Sequence, residues 1–198
     1  MLLTPDEVDR LAAVMPTAET RALVLFASQT GFRKGECFAL RWENVSLAEG
    51  DESARVVEPV HKGVLVPAAK TRAGSREVPL GPRVAAVLRE LWLAQQVGGR
   101  PNPLGLVFPS PTGGRWLDTN FDRRVWKRAR EEAGLPGLML HTLRYYYVSY
   151  VRAQGPAAAL TEQLVGHVDE RTHQGYSRPI PGTEPLIRAA LASAFGEA

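Results

Sequence analysis

The sequence predicts an α+β domain, mainly α-helical, with a small three-stranded antiparallel sheet. Three observations carry that expectation. Apolar residues recur at helical spacing along most of the chain, as in Val84, Val87, Leu88, Leu91 and Trp92. Three short strand-like runs, 55–59, 64–68 and 76–80, crowd between residues 54 and 80, with turn chemistry at His61-Lys62-Gly63 and Arg72-Ala73-Gly74-Ser75. The chain has 198 residues, 44% of them hydrophobic and 23% charged, which suits one ordinary globular core.

Taken in order, Thr4-Pro5-Asp6-Glu7 is a helix start: Thr4 caps, Pro5 takes the first position and Glu7 closes a capping box. Val8, Leu11, Val14 and Met15 form the apolar face that follows. A second helix is expected over 18–29, carrying Ala22, Leu23, Leu25 and Phe26, with Gly31 ending it in the left-handed conformation. A short helix through Glu36, Phe38 and Leu40 comes next, then a polar loop over 44–53 and the three strand runs. Gly81-Pro82 opens a further helix. Residues 97–105 form a Gly/Pro loop, Leu106-Val107-Phe108-Pro109 a short buried segment, and Gly113-Gly114 a turn.

Asp118 or Thr119 can cap the next helix, which buries Phe121, Val125 and Ala129. Arg123, Lys127 and Arg130 then fall in one basic stripe, with Arg124 and Arg128 beside it. Such a stripe is either a solvated face or a contact to a nucleic-acid backbone, and Asp122, Glu131 and Glu132 dilute it.

The net charge of +3 and a pI near 9.2 lean mildly basic, which permits nucleic-acid binding without demanding it. Cys37 is the single cysteine, so no disulfide forms within the chain, and a small buried core residue is the expected role. The N-terminus opens into an acidic helix rather than a secretory leader. No apolar run approaches the roughly 20 residues of a membrane span. A cytoplasmic protein is therefore expected.

The chemistry concentrates between His141 and Tyr176. His141 and Arg144 sit in H-T-L-R, three apart, and so share a helix face. Gly155-Pro156 breaks the helix and starts another. That second helix returns Gly166-His167 toward the same place, and Tyr176 follows nine residues after His167. Two imidazoles, a guanidinium and a phenol with no acidic partner point to a phosphate: Arg grips its oxygens in pairs, and His moves protons near neutral pH.

Two upstream pieces extend the pattern, Thr30-Gly31-Phe32-Arg33-Lys34-Gly35-Glu36 and Lys70 within A-A-K-T-R-A-G-S-R-E-V-P-L. With these the chain resembles the catalytic domain of the tyrosine recombinases, the phage-integrase family, from about Leu3 to about Pro179. H-x-x-R alone is a weak signal. The ordered set Arg33, Lys70, His141, Arg144, His167 and Tyr176, in these contexts, is highly specific.

The resemblance implies the DNA breaking-rejoining catalytic fold over residues 1–180, a tail helix over 181–198, and the absence of the N-terminal core-binding domain usual in the family. It implies site-specific DNA recombination. Tyr176 attacks a phosphodiester, His141 accepts its proton, Arg33 and Arg144 bind the non-bridging oxygens, His167 adds a hydrogen bond, and Lys70 protonates the leaving 5′ oxygen. The product is a 3′-phosphotyrosine. On the hairpin Lys62 and Arg72 rival Lys70. Glu36 supports the fold around Arg33. Two guanidiniums and a lysine supply the charge that many nucleases draw from metal, so neither metal nor cofactor is expected. The implied partner is double-stranded DNA, on paired sites of which the protein forms a homotetramer, with a monomer when free; no membrane is involved, and a cytoplasmic, nucleoid-associated location follows.

Some positions depart from the family pattern: Thr142 stands where Asp is frequent, Tyr145 where His is frequent, and Val165 where Leu is usual. Tyr145, Tyr146, Tyr147 and Tyr150 read as helix packing, although Tyr150 or Tyr147 would be the next phenols to suspect should Tyr176 not react. His61 and His173 read as surface residues. In the tail, Leu186, Ile187, Ala190, Leu191, Ala194 and Phe195 make one apolar face. It docks on its own domain or, as the resemblance suggests, on a neighbouring protomer. The competing functions are a type IB topoisomerase-like DNA relaxation activity, a non-catalytic DNA-binding relic, and a helical protein-interaction domain. The last leaves the converging His, Arg and Tyr unexplained.

Overall fold

The computed structural model describes residues 3–57, 60–61, 64–65, 76–98 and 100–153. Lys70, His167, Tyr176 and the tail lie outside the described residues.

Helix α1 (Pro5–Ala13) starts as its sequence dictates. The Thr4 hydroxyl accepts from the Glu7 N–H at 3.3 Å, and the Glu7 carboxylate accepts from the Thr4 N–H at 2.8 Å. Helix α2 (Ala18–Thr30) repeats the device with Thr17 and Thr20 and ends at Gly31, whose φ is +65°. It is buried nearly all round and packs against α1, against α4 (Pro82–Val97) and against α7 (His141–Ala153). A helix without a wet face must satisfy its polar side chains internally. Ser28 donates to the Leu25 carbonyl at 2.8 Å, and Thr30 to the Phe26 carbonyl at 2.7 Å. Phe26 meets Phe32 edge-on at 4.9 Å and Phe108 at 5.4 Å. Each such fully buried apolar side chain contributes about 1.5–3 kcal/mol.

Helix α3 (Lys34–Ala39) follows directly. Its Gly35 is pressed against the sheet side of the molecule: a Cβ there would lie 2.1 Å from the Val60 carbonyl oxygen. That close approach accounts for the glycine.

The strands differ from the sequence expectation. The three-stranded antiparallel sheet exists, but its order is β1 (Val45–Ser46), β2 (Ser53–Val56), β5 (Arg76–Pro79). The run at 64–68 is not its middle strand. Val64–Leu65 (β4) pairs instead with Val60–His61 (β3) as a separate two-stranded hairpin. The expected polar loop over 44–53 supplies the third strand, after a short 3₁₀ turn at Trp42–Asn44. Burial decides this: Ala54 and Val56 on β2 and Val78 on β5 face the core, and direct β2–β5 pairing sets Ala54 opposite Val78 and Val56 opposite Arg76.

After α4, the segment around Leu106–Phe108 is buried as expected. Val107 N–H donates to Leu40 O at 3.0 Å, and Asn102 bonds both the N–H and the carbonyl of Leu106 at 2.8 Å.

The basic helix is interrupted. α5 (Asp118–Phe121) and α6 (Lys127–Glu132) flank a π-helical segment, Asp122–Trp126. Neither Asp118 nor Thr119 is the cap, because Leu117 occupies that position and Asp118 turns toward Lys34 at 3.8 Å. The wider turn buries the consecutive residues Val125 and Trp126, and the Trp126 indole donates to the Leu138 carbonyl at 2.8 Å. Among the described residues, no helix is long and apolar enough to cross a membrane.

Candidate active site

Two helix ends build the described part of the site. Gly31 stops α2 in the left-handed region, and the chain turns outward through Phe32 to Arg33, the residue before α3. Helix α7 arrives from the other side with His141 on its first turn and Arg144 one turn on. Arg144 Nη1 donates to the Gly31 carbonyl at 2.6 Å, which closes the two elements on each other.

Of the six residues singled out in the sequence, Arg33, His141 and Arg144 are thus brought together. Lys70, His167 and Tyr176 lie outside the described residues. The three that are seen have different settings. Arg33 keeps 47% of its side chain accessible, His141 is exposed, and Arg144 is 1% exposed. Burial, then the charges of Arg33 and Arg76, bring the Arg144 guanidinium down to about 10, with Glu36 and Tyr147 opposing. Partial burial, then the charges of Arg144 and Arg33, hold the His141 imidazole below its ordinary value. These surroundings favour the neutral imidazole, which is the form that accepts a proton. Its ring stands edge-on to Tyr145 at 4.9 Å.

Glu36 is the pivot beneath Arg33. One carboxylate oxygen accepts from the Arg33 N–H at 2.7 Å and the other from Arg33 Nη1 at 3.0 Å. The same carboxylate accepts a fork from Arg76, at 3.0 Å from Nη1 and 2.6 Å from Nη2. Burial alone would discourage its ionisation, but the bonds and charge of Arg76, then of Arg33, outweigh that and hold it below the usual carboxylate value.

Sequence reasoning placed Glu36 but assigned nothing to Arg76. A signal was present: Arg76, Val78 and Leu80 alternate along one run, so the arginine takes a core-facing strand position. Lys34 was also missed. Its ammonium bonds Asp122 at 3.1 Å and lies 3.8 Å from Asp118, fastening the start of the basic helix beside Arg33.

The tyrosines sort themselves by burial. Tyr147 is wholly buried and its phenol is pushed above its ordinary value by that burial. Tyr146 is buried against Tyr150, with ring centroids 4.5 Å apart. Both are packing residues, and Tyr147 is a poor substitute nucleophile. Tyr145 is the exposed member, at 53%. Cys37 is fully buried with its thiol pushed far up by that burial, so it is an inert core residue.

The basic stripe also divides. Arg123, Arg124, Lys127 and Arg128 are exposed. Arg130 is not one of them: its guanidinium donates to the Leu138 carbonyl at 3.1 Å. The π-helical turn shifts the phase of everything after it, so a straight-helix projection misplaces this residue.

The profile of the Phage integrase family matches residues 1–181. The chain belongs to that family. A putative prophage phiRv2 integrase of Mycobacterium tuberculosis is 29% identical over 190 residues, covering 95% of this chain and 50% of that protein. The tyrosine recombinase XerC of Xylella fastidiosa is 28% identical over 157 residues, covering 79% and 47%. The phage-integrase chain thus spans about half the length of the curated relatives it matches. Among solved structures, the XerA recombinase superposes with a TM-score of 0.67 at 21% identity, covering 98% of this chain and 61% of that one. The Tn1549 transposon integrase, in complex with a circular intermediate DNA, gives 0.71 at 12% identity, covering 100% and 62%. At such identities the likeness establishes the fold: a tyrosine recombinase catalytic domain.

Proposed function

We propose that this phage-integrase chain is the DNA-cleaving part of a site-specific tyrosine recombinase, and that it breaks and rejoins double-stranded DNA through a 3′-phosphotyrosine at Tyr176. The observation that carries the reading is the convergence of Arg33, His141 and Arg144 across the Arg144–Gly31 bond. It sets an accessible guanidinium and a neutral imidazole side by side, with a second guanidinium behind them.

In this reading Arg33 and Arg144 offset the charge growing on the phosphoryl oxygens. A phenol with an ordinary value of about 10 is protonated at neutral pH and needs a base. The neutral His141 takes its proton as the Tyr176 oxygen bonds to phosphorus. The bond to the 5′ oxygen breaks, and that oxygen leaves with a proton from Lys70. His167 donates a hydrogen bond to the phosphoryl group. A 5′ hydroxyl from another strand reverses the step and reseals DNA without a nucleotide cofactor. The exposed Arg123, Arg124, Lys127 and Arg128 meet the DNA backbone, held beside Arg33 by the Lys34 ion pairs.

Assembly is part of the proposal: a tetramer on paired DNA sites in the cytoplasm, with the apolar face of residues 186–195 docked on a neighbouring protomer. Deleting 184–198 should leave the fold and DNA binding intact while removing tetrameric complexes.

The deciding experiment traps cleavage on nicked duplexes whose short 5′ fragment diffuses away. Wild-type protein should become covalently attached to the 3′ phosphate, and Tyr176→Phe should not while binding DNA equally well. Adduct formation by the Phe variant would move the nucleophile elsewhere. Relaxation of supercoils by a monomer, without strand exchange between sites, would favour a topoisomerase.

A further inference from the structure

The mechanism above leaves one buried charge without a task. Arg76 lies at the core-facing start of β5, with 6% of its side chain exposed, and its guanidinium carbon sits 5.3 Å from the centre of the Phe32 ring. Both ends of its fork close on Glu36, itself 4% exposed. Burying an arginine and a carboxylate together is expensive, and a structural tie between β5 and α3 would be made as well by apolar residues. The fork must therefore be judged by what it does to the third member of the cluster, Arg33.

Glu36 alone beneath Arg33 would orient that guanidinium and also neutralise it. A neutralised arginine is a weak ligand for a phosphate. Arg76 changes the balance. It occupies both carboxylate oxygens from the buried side with the two terminal nitrogens of a planar fork, while Arg33 uses one side-chain nitrogen and its backbone N–H. Arg33, Glu36 and Arg76 together carry one net positive charge, and the accessible end of that charge is Arg33.

We propose that Arg76 is a positioning residue for strand cleavage, which engages the charge of Glu36 so that Glu36 aims Arg33 at the scissile phosphate without cancelling it. The proposal rests on the reading of Arg33 as a phosphate ligand.

Two measurements test it, and only one depends on cleavage. In the free protein, the ring resonances of His141 are titrated by NMR, with His141→Gln giving the assignment among the four histidines. The charge of Arg33 is one of the causes that lower the His141 pKa. In Arg76→Met, Glu36 is left to Arg33 alone, so the His141 pKa should rise by at least half the rise seen in Arg33→Gln. Arg76→Lys should stay close to wild type. An unchanged His141 pKa in a folded Arg76→Met protein overturns the proposal.

The second measurement compares single-turnover cleavage of an ordinary phosphodiester with that of a methylphosphonate, which lacks the charge Arg33 offsets. Arg76→Met should cleave the phosphodiester at least tenfold more slowly than wild type with DNA affinity retained, and the deficit should shrink at least threefold on the methylphosphonate. An equal deficit on both substrates assigns Arg76 a structural role only. Should Arg76→Met not fold, Arg76→Gln removes the charge and keeps polar donors for Glu36: a several-fold slower cleavage of the phosphodiester that shrinks on the methylphosphonate supports the proposal, and a wild-type rate ends it. If wild-type protein forms no adduct on any DNA, the reading of the function fails, and the titration still decides the place of Arg76.

Discussion

Arg144 Nη1 donates to the carbonyl of Gly31 at 2.6 Å, so the helix that carries His141 is tied to the loop that presents Arg33 by one buried, charge-assisted bond. The geometry on the Gly31 side is unforgiving. Its φ is +65°, and a Cβ there would lie 2.6 Å from Cδ1 of Tyr147.

Gly31→Ala should therefore destabilise the domain by about 2–4 kcal/mol, from left-handed strain and from displacing a buried ring. Urea unfolding measures it. A loss well under about 1 kcal/mol would mean that Tyr147 moves aside freely and that the joint is softer than the structure implies.

The pH profile of cleavage follows from His141. Its pKa is lowered by burial and by Arg144 and Arg33. The rate should then stay level as pH falls through 6.5, the ordinary imidazole value, and decline only below it. Rates of adduct formation between about pH 5 and about pH 8 give the curve. His141→Gln should lose that acid limb along with most of its rate. A limb above the ordinary value would mean that His141 is not the base.

The basic helix allows a paired test. Lys127→Ala should reduce the logarithmic salt slope of DNA binding by about 0.9, the share of one phosphate, and leave stability unchanged. Arg130→Ala should do the reverse. Its bond to the Leu138 carbonyl is lost, costing about 1 kcal/mol, and the slope stays the same. Equal slopes for wild type and Lys127→Ala would return this face to solvent.

Lys70 is tested by chemistry rather than geometry. With sulfur in place of the bridging 5′ oxygen, the leaving group needs little protonation. Lys70→Ala should cleave ordinary DNA at least a hundredfold more slowly and the sulfur-substituted DNA nearly as fast as wild type. Lys62→Ala and Arg72→Ala should cleave both substrates normally. Rescue of Lys62→Ala or Arg72→Ala by sulfur would transfer the role.

Much of this protein is written locally. Thr4 with Glu7 and Thr17 with Thr20 set their helix starts, and Gly31 sets a helix end, because capping and left-handed turns involve only residues three or four apart. The family was legible for the same reason: Arg33, Lys70, His141, Arg144, His167 and Tyr176 each sit in a short motif and follow one another in a fixed order. The π-helical turn at 122–126 escaped, since a period assumed uniform cannot show where it changes, and so Arg130 was counted with a stripe it does not join.

The sequence by itself determined most of the described helices, the family and the residues to watch, because period, caps and motif spacing are properties of neighbours along the chain. Only the tertiary structure decided which strands pair and which charges meet. Residues 53–56 find 76–79 across the intervening hairpin because that register buries Ala54, Val56 and Val78. The same register carries Arg76 inward, where Glu36, 40 positions earlier, is the acid that meets it. Long-range pairing of buried charge is settled by which fold hides the most apolar surface, and no short stretch of sequence contains that information.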